Sequence, residues 1–277
     1  MSYTSSPPTA MSTSGLHIIQ ITDLHLFAKP HKDLLGVVTE KSFQAVLSTV
    51  ASLWPLPEVM LLTGDLSQDG SIASYSRLKM FLKDLPIDIY WLAGNHDRLS
   101  AMQSELSGNQ VYPDKVFCRQ GWVFLLLNSL VPGKDSGYLT KETLKDLHKN
   151  LQQAADQGQH VLLSLHHPPF PVQSEWLDGS TLQNPEDLFE VLDQFDHVRV
   201  VLFGHVHQEL HHARGGVEYF ACPSTCIQFK PYSQDFHLDE VPPAFREIWL
   251  YPDGSFKTQL TRVPEGFQQP NLQMKGY

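Results

Sequence analysis

Short apolar runs recur along the chain and are separated by more polar segments. Six of them are rich in β-branched, leucine or aromatic residues: 16–22, 59–63, 89–93, 122–128, 161–165 and 198–203. Their hydrophobicity is nearly continuous rather than alternating, which is typical of strands that other layers cover on both faces. The pattern therefore predicts a buried sheet rather than a sheet with one wet face.

Helical spacing of apolar residues fills several of the intervals between these runs. Segments 39–53 and 71–85 carry this spacing. A third predicted helix begins with Thr140 as its N-cap and ends near Gly158, and a fourth begins with Asn184 as its N-cap. Alternation of strands and helices indicates an α/β fold with largely parallel strand pairing.

The C-terminal part of the chain departs from this alternation. Segments 216–222 and 245–251 resemble antiparallel strands joined by tight turns, so we expect a mixed sheet or a second sheet. Residues 1–14 are rich in Ser, Thr and Pro and lack the features of a secretory signal, which predicts a flexible tail. One domain is expected over 15–263, followed by an irregular tail over 264–277.

Length and charge narrow the classes of partner. The 277 residues suffice for one large α/β domain, and the net charge is −10 without a long Lys/Arg cluster. This balance disfavours a general nucleic-acid or membrane-surface binder. No apolar run reaches the roughly 18 residues of a membrane span. We therefore expect a soluble, cytoplasmic protein with a small-molecule substrate, and the sequence leaves the oligomeric state open.

The three cysteines, Cys118, Cys222 and Cys226, are odd in number and lack C-x-x-C spacing. This usage is typical of reduced thiols rather than a disulfide framework. The four-residue separation of Cys222 and Cys226 leaves a structural zinc site open, although buried inert thiols are the preferred interpretation.

Polar side chains follow five of the six predicted strands at the point where each strand ends. They are Asp23 and His25, then Asp65, then Asn95, His96 and Asp97, then His166, and finally His205 and His207. Ligands of parallel α/β sheets bind beyond the carboxyl ends of the strands, so these side chains are expected to share one cavity. Glycines at 64, 94 and 204 are expected to turn the backbone sharply and to direct the next side chain inward.

Each of these short motifs taken singly is compatible with ordinary turn chemistry. Taken together, so many ionisable groups at strand ends would be costly to bury without a cation. Carboxylate, imidazole and amide ligands without thiolate suit manganese, iron, cobalt or zinc. The groups suffice for two ions that share an aspartate, the arrangement of two-metal hydrolases.

The order of the motifs resembles that of the calcineurin-like metallophosphoesterase superfamily. Its elements are present as DLH at 23–25, GD at 64–65, GNHD at 94–97, His166, and GHVH at 204–207. This resemblance implies an α/β fold in which helices flank two mixed sheets in a four-layer sandwich.

A more extended likeness covers nearly the whole chain from about residue 16. The segments that carry it are 34–47, 64–71, 174–184, 203–210, 223–231 and the terminal Gly-Tyr. They resemble the bacterial class III 3′,5′-cyclic-AMP phosphodiesterases of the CpdA type. This resemblance implies hydrolysis of cyclic AMP to 5′-AMP by in-line attack of a metal-bridging hydroxide, which would lower cellular cyclic AMP.

The resemblance also implies roles for individual residues. One metal ion would be bound by Asp23, His25, Asp65 and His207, and the other by Asp65, Asn95, His166 and His205. His96 would contact the phosphate and protonate the leaving oxygen, and Asp97 would orient His96. Substrate contacts are expected from Asn95, His96 and His25. Iron or manganese is the expected metal, with zinc and cobalt as alternatives.

Other functions remain open at this point. One alternative is a broader-specificity phosphodiesterase that acts on 2′,3′-cyclic nucleotides or other diesters. Another is a non-catalytic interaction module on the same fold, which is disfavoured because every position of the motif set is filled. A Ser/Thr protein phosphatase is also disfavoured, because the sequence reads GDLSQDG and GNHD where those enzymes carry GDxVDRG and GNHE.

Two sets of residues near the motifs have no assigned role. Solvent exposure is the preferred interpretation for four histidines: His31, His167, His211 and His212. For His167 and His211, a contact that supports the metal ligands is the alternative. Three aromatic residues either line a base pocket, since aromatic faces stack on purines, or belong to a core or lid: Phe229, Tyr232 and Phe236.

Overall fold

Two six-stranded mixed sheets form the centre of the computed structural model, which describes residues 15–264 and 268–276. The predicted flexible segment 1–14 lies outside the described residues, as do 265–267 and 277 of the predicted C-terminal tail. Within the described ranges, no helix is both long and apolar enough to cross a membrane.

The strands and helices alternate over the first two thirds of the chain. The strands are β1 (Leu16–Ile21), β2 (Asp33–Leu34), β3 (Val37–Val38), β4 (Val59–Thr63), β5 (Asp88–Leu92), β6 (Val111–Tyr112), β7 (Val116–Arg119), β8 (Trp122–Leu126), β9 (His160–Ser164), β10 (Val198–Phe203), β11 (Leu210–Arg214), β12 (Val217–Ala221), β13 (Gln228–Phe229), β14 (Leu238–Asp239), β15 (Ala244–Leu250) and β16 (Phe256–Arg262). The helices are α1 (Thr39–Ala51), α2 (Ile72–Leu82), α3 (Leu99–Glu105), α4 (Lys141–Asp156), α5 (Glu175–Asp178) and α6 (Pro185–Leu192).

Both sheets combine a run of parallel strands with antiparallel strands, which lie at one edge of the first sheet and at both edges of the second. The first has the order β16-β15-β1-β4-β5-β6, in which β1, β4, β5 and β6 are parallel. The second has the order β11-β12-β10-β9-β8-β7, in which β8, β9, β10 and β12 are parallel. The predicted antiparallel strand near 245–251 is confirmed as β15. The segment near 216–222 is β12, which is antiparallel to β11 but parallel to β10.

The two sheets pack face to face, and helices cover their outer faces. One apolar cluster lies between the sheets, a second joins the first sheet to α1, α2 and α3, and a third joins the second sheet to α4, α5 and α6. Successive residues of a strand point to opposite faces, so Ile18 enters the cluster between the sheets and Ile19 the cluster below the helices. This double burial explains the continuous apolar runs and confirms the four-layer α/β sandwich.

Both predicted ends of α4 are confirmed, whereas α1 and α2 end at Ala51 and Leu82 rather than at the predicted 53 and 85. The hydroxyl of Thr140 accepts a hydrogen bond from the Thr143 amide at 3.1 Å, and Gly158 adopts φ 63° just beyond α4. The predicted cap at Asn184 is wrong in its bonding. Its Oδ1 accepts from the Leu139 amide at 2.9 Å, so the side chain holds the loop before α4 instead of capping α6.

Candidate metal centre

The loops that follow five parallel strands meet at one edge of the sandwich. Those after β1, β4 and β5 come from the first sheet, and those after β9 and β10 come from the second. Six of the seven predicted ligands are buried, and Asn95 is partly exposed. The predicted convergence of the polar strand ends is therefore present in the structure.

The first predicted ligand group is compact. Nε2 of His207 lies 3.3 Å from Oδ1 of Asp23 and 3.1 Å from Nε2 of His25. The same His25 nitrogen lies 3.8 Å from Oδ2 of Asp65. Four potential ligand atoms from three strand ends thus surround a single small space.

The second predicted group shares Asp65 with the first. Oδ2 of Asp65 lies 3.3 Å from Nε2 of His166. Nδ1 of His205 lies 3.0 Å from Oδ1 of Asn95. The Asp65 carboxylate therefore stands between the two groups, as a bridging ligand would.

Hydrogen bonds fix the orientation of the histidines in the first group. Nδ1–H of His207 donates to the Ile227 carbonyl at 2.9 Å, and Nδ1–H of His25 donates to Oε1 of Gln68 at 2.5 Å. Burial lowers the pKa of His25 to about 3, so its ring is neutral. Nε2 of His25 therefore directs a lone pair toward Nε2 of His207, 3.1 Å away, and both nitrogens are placed to bind one cation between them.

His166 shows the same design in the second group. Its Nδ1–H donates to the Thr63 carbonyl at 2.8 Å, which turns Nε2 toward Asp65. That Nε2 is fully buried and has no hydrogen-bond partner in the part of the chain that the structure describes. A buried nitrogen in this situation is suited to bind a metal ion.

The electrostatics of the cluster are those of a site that needs positive charge. Burial disfavours charge on both Asp65 and His166, but their mutual attraction outweighs it. The attraction holds the pKa of Asp65 well below its usual range and raises the pKa of His166 to about 9. The buried carboxylates thus favour positive charge beside them, which divalent ions would supply.

The donor set fits divalent ions of borderline hardness. Carboxylate oxygens, imidazole nitrogens and one amide oxygen converge, and their orientations are fixed by backbone carbonyls. Cys226 lies near His25 and His207, but burial raises the pKa of its thiol to about 12. Cys222 is also buried, and no candidate metal cluster within the described residues joins it to Cys226. The two cysteines thus match the inert buried thiols predicted for them.

The backbone at the cluster is strained. Five predicted ligands have φ between 47° and 71°, a range that residues other than glycine seldom adopt: Asp23, His25, Asp65, His205 and His207. Each such conformation costs about 1–3 kcal/mol and persists where surrounding structure imposes it, often at functional sites. The strain concentrates in the loops that carry the ligands.

The glycines before the ligands act mainly by leaving space. A Cβ at Gly94 would lie 2.2 Å from Oδ1 of Asp65, and one at Gly204 would lie 2.1 Å from Oγ1 of Thr22. Only Gly64, at φ 100°, also needs the left-handed conformation. The backbone turns after Gly94 and Gly204 as predicted, since the Gly94 carbonyl accepts from the Asp97 amide at 3.3 Å and the Gly204 carbonyl from the Val206 amide at 2.8 Å. At these two positions close packing rather than φ requires glycine.

The Asp97 carboxylate ties together two of the ligand-bearing loops. It accepts hydrogen bonds from the amides of Leu66, Ser67 and Gly94 at 3.2, 3.0 and 2.9 Å, and from the Tyr75 hydroxyl at 2.9 Å. Burial and the nearby Asp65 raise the pKa of Asp97 to about 6. These four bonds fix the loop after β4 against the loop after β5, while a direct action of Asp97 on His96 stays a prediction.

His96 lies at the boundary between the buried cluster and the surface. Its amide donates to Oδ1 of Asp65 at 2.9 Å, and its ring meets the ring of His25 edge-on at 5.0 Å between centroids. The side chain is partly exposed and lines a cavity next to the cluster. A group bound at the cluster could therefore be reached by this imidazole.

His167 is a site residue for which the sequence pointed to the wrong environment. It is fully buried, and its ring lies 5.0 Å from those of His166 and His205. Its Nδ1 lies 2.8 Å from the Ser129 hydroxyl. The expected solvent exposure is wrong for this residue, and its position directly after His166 was the available signal. Exposure is confirmed for the other three histidines of that set: His31, His211 and His212.

Comparison with known proteins agrees with this geometry. Residues 16–209 match the family model of the calcineurin-like phosphoesterases. The chain belongs to this family. Membership implies a hydrolase with a site for two divalent metal ions, which agrees with the two ligand groups.

Curated relatives extend the similarity to most of the chain. A 3′,5′-cyclic-nucleotide phosphodiesterase from Nostoc sp. PCC 7120 is 43% identical over 90% of this chain and 93% of its own. The 3′,5′-cyclic adenosine monophosphate phosphodiesterase CpdA of Escherichia coli K12 is 40% identical over 95% of each chain. A dimetal phosphatase from Danio rerio shares the fold, with a TM-score of 0.66 and 15% identity over 93% of this chain and 99% of its own.

Metal removal should destabilise the folded protein, because the buried Asp23 and Asp65 carboxylates then lose their cations. At metal concentrations about 100-fold above the dissociation constant, we expect a gain of about 2.7 kcal/mol, or roughly 5–10 °C in Tm. The measurement is thermal unfolding with Mn²⁺ and after EDTA treatment, with sodium chloride of matched ionic strength as the control. Equal Tm values in the two states would contradict the metal site.

Proposed function

We propose that this protein hydrolyses 3′,5′-cyclic AMP to 5′-AMP and so lowers cyclic AMP in the cell. The observation that carries the proposal is a complete set of metal donors at the edge of a cavity that His96 lines. Support for the substrate comes from relatives named for this reaction, 36–43% identical over most of the chain.

We assign the ligands to two ions that share Asp65. Asp23, His25, Asp65 and His207 would hold one, and Asp65, Asn95, His166 and His205 would hold the other. Iron or manganese suits these oxygen and nitrogen donors, and zinc or cobalt is compatible with them. Bound ions of this kind neutralise phosphate charge and activate a water molecule for attack on phosphorus.

The charge of the loaded site fits a phosphodiester. Two divalent ions contribute four positive charges, and Asp23 and Asp65 return two negative ones, so the centre stays positive. A cyclic nucleotide carries one negative charge on its phosphodiester. We assign Asn95 and His96 to the phosphate because both line the cavity beside the cluster, and His25 because its ring meets that of His96 edge-on.

His96 is assigned as the proton donor. Cleavage of the bond from phosphorus to the 3′-oxygen leaves negative charge on that oxygen, and a proton from an imidazole stabilises it. The hydrogen bond from the His96 amide to Asp65 fixes the backbone at this position. Asp97 supports the same loop through its bond to Gly94, so we propose that it positions His96.

Broader specificity is the second candidate function. One relative carries the general name of a 3′,5′-cyclic-nucleotide phosphodiesterase, without reference to adenine. A non-catalytic role has no comparable support, because the chain retains every predicted ligand and His96.

Product analysis tests the proposed reaction. The chelator-treated protein, restored with Mn²⁺ or Fe²⁺, is incubated in parallel with 3′,5′-cyclic AMP, 3′,5′-cyclic GMP, 2′,3′-cyclic AMP and an aryl phosphodiester. We expect metal-dependent formation of 5′-AMP from 3′,5′-cyclic AMP, faster than turnover of the other substrates. Turnover of only the 2′,3′-cyclic or aryl substrates would support a hydrolase activity but refute 3′,5′-cyclic AMP as the substrate.

Substitution of His96 tests its role as proton donor. We expect His96→Ala to fold, to bind metal as the wild type does, and to lose about 10²–10⁴-fold in kcat, because the leaving oxygen departs unprotonated. Elemental analysis measures the metal and chromatography the rate. The matched control is His148→Ala on the exposed face of α4, which should leave both quantities unchanged. Full activity of His96→Ala would exclude this role.

A further inference from the structure

A cavity of about 340 Å³ opens directly beside the metal centre. Asn95, His96 and His205 border it on the side of the metal ligands. Trp176, Leu177 and Phe236 line it with apolar surface. A volume of this size suits a nucleotide, with its charged group at the polar end and its planar ring against the apolar side.

The aromatic side of the cavity is held rigidly. The ring of Trp176, on α5, meets those of Phe229 and Phe236 edge-on at 4.9 and 5.0 Å between centroids. Phe229 in turn stacks on His207 at 4.2 Å with an interplanar angle of 7°. The position of the Trp176 ring is therefore coupled through Phe229 to a predicted metal ligand.

The three aromatic residues singled out in the sequence, Phe229, Tyr232 and Phe236, lie in different environments. Phe229 is buried behind Trp176, Phe236 lines the cavity, and Tyr232 is 77% exposed. Trp176 belongs with them and lies in segment 174–184, one of the segments that carry the extended resemblance. Its indole nitrogen is buried and has no hydrogen-bond partner among residues 15–264 and 268–276. The contribution of Trp176 to the cavity is therefore its aromatic surface rather than this nitrogen.

The C-terminal segment, residues 268–276, also reaches this cavity. Its start is bound to the β2–β3 hairpin, where the Gln268 side chain accepts from the Val38 amide at 2.9 Å and donates to the Val38 carbonyl at 3.1 Å. The Asn271 amide donates to the Leu35 carbonyl at 2.7 Å. From this attachment the chain continues to Lys275 and Gly276, which line the cavity.

Lys275 is the one lysine or arginine among the described residues that line this cavity. Under the proposed function, the metal ions held by these ligands, together with His96, already interact with the phosphate at the polar end of the cavity. A purine base presents ring nitrogens as hydrogen-bond acceptors at its edge. The Lys275 ammonium group supplies a complementary donor in this cavity.

We infer that this cavity is the nucleoside pocket, in which Trp176 and Phe236 pack on the purine ring and Lys275 of the C-terminal segment donates a hydrogen bond to its edge. The inference rests on the proposed cyclic-nucleotide phosphodiesterase activity and assigns its base-recognising residues. The C-terminal segment, residues 268–276, is then a part of the substrate site.

Steady-state kinetics with two substrates test the inference. The substrates are 3′,5′-cyclic AMP and methyl p-nitrophenyl phosphate, a diester that has no nucleoside. We expect Lys275→Ala to raise KM for cyclic AMP about fivefold and Trp176→Ala about tenfold or more. In both variants kcat should change by less than about twofold, because the lost contact is the same in ground and transition states. For the aryl diester, Lys275→Ala should leave both constants unchanged, because this substrate has no purine edge to accept a hydrogen bond, and Trp176→Ala should raise KM by less than it does for cyclic AMP.

Two further variants serve as controls. Lys275→Arg keeps a cationic donor and should restore KM for cyclic AMP to within about twofold of the wild type. Lys145→Ala removes an exposed lysine of α4, which does not line the cavity, and should leave KM and kcat unchanged for both substrates.

The outcomes separate this inference from the proposed function. Unchanged KM for cyclic AMP in Lys275→Ala and Trp176→Ala, or an equal loss on the aryl diester, would overturn the nucleoside pocket alone. A wild-type enzyme that hydrolyses the aryl diester but not cyclic AMP would overturn the proposed substrate and this inference with it.

Discussion

The burial of two carboxylates among four imidazole rings is the constraint on which the rest of the site depends. Asp23 and Asp65 are almost completely inaccessible to solvent, and the nitrogens of His25 and His207 face each other at 3.1 Å. Burial of these charges is costly without cations, because no water compensates them. The neighbouring structure is organised around holding these ligands in place for metal ions.

Three kinds of support hold the ligands against this cost. Backbone carbonyls of Thr63 and Ile227 fix the histidine tautomers, so that the free nitrogens point inward. Asp97 accepts four hydrogen bonds and locks two ligand loops together. The two sheets contribute ligands from opposite sides, so the site exists only when the sandwich is assembled. Packing between the sheets therefore maintains both the fold and the centre.

Much of this could be predicted from the sequence, because the relevant signals are local. Continuous apolar runs gave six strands, confirmed as β1, β4, β5, β8, β9 and β10. The polar residues that follow five of them gave the ligand candidates, since parallel strands bring their carboxyl ends to one edge. The motif order then identified the family without reference to the fold.

The remainder depends on tertiary contacts that no local pattern encodes. The edge strands β7, β11 and β16 are half exposed and carry charged residues, so their apolar signal is weak. Positions 94 and 204 require glycine because Asp65 and Thr22, which are distant in sequence, occupy the space that a Cβ would fill. Asn184 has the sequence context of a helix cap, but the loop before α4 competes for its oxygen. The burial of His167 likewise follows from the meeting of three loops.

The most direct test of the account is a count of the bound metal ions together with a measurement of their magnetic coupling. The protein is loaded with Mn²⁺, and elemental analysis is combined with electron paramagnetic resonance on the wild type and on Asp65→Ala. Ions that share a carboxylate lie about 3.5–4 Å apart and interact magnetically. We predict two coupled ions per wild-type chain and the loss of both in Asp65→Ala. A single uncoupled ion in the wild type, or two coupled ions in Asp65→Ala, would contradict a two-metal centre bridged by Asp65.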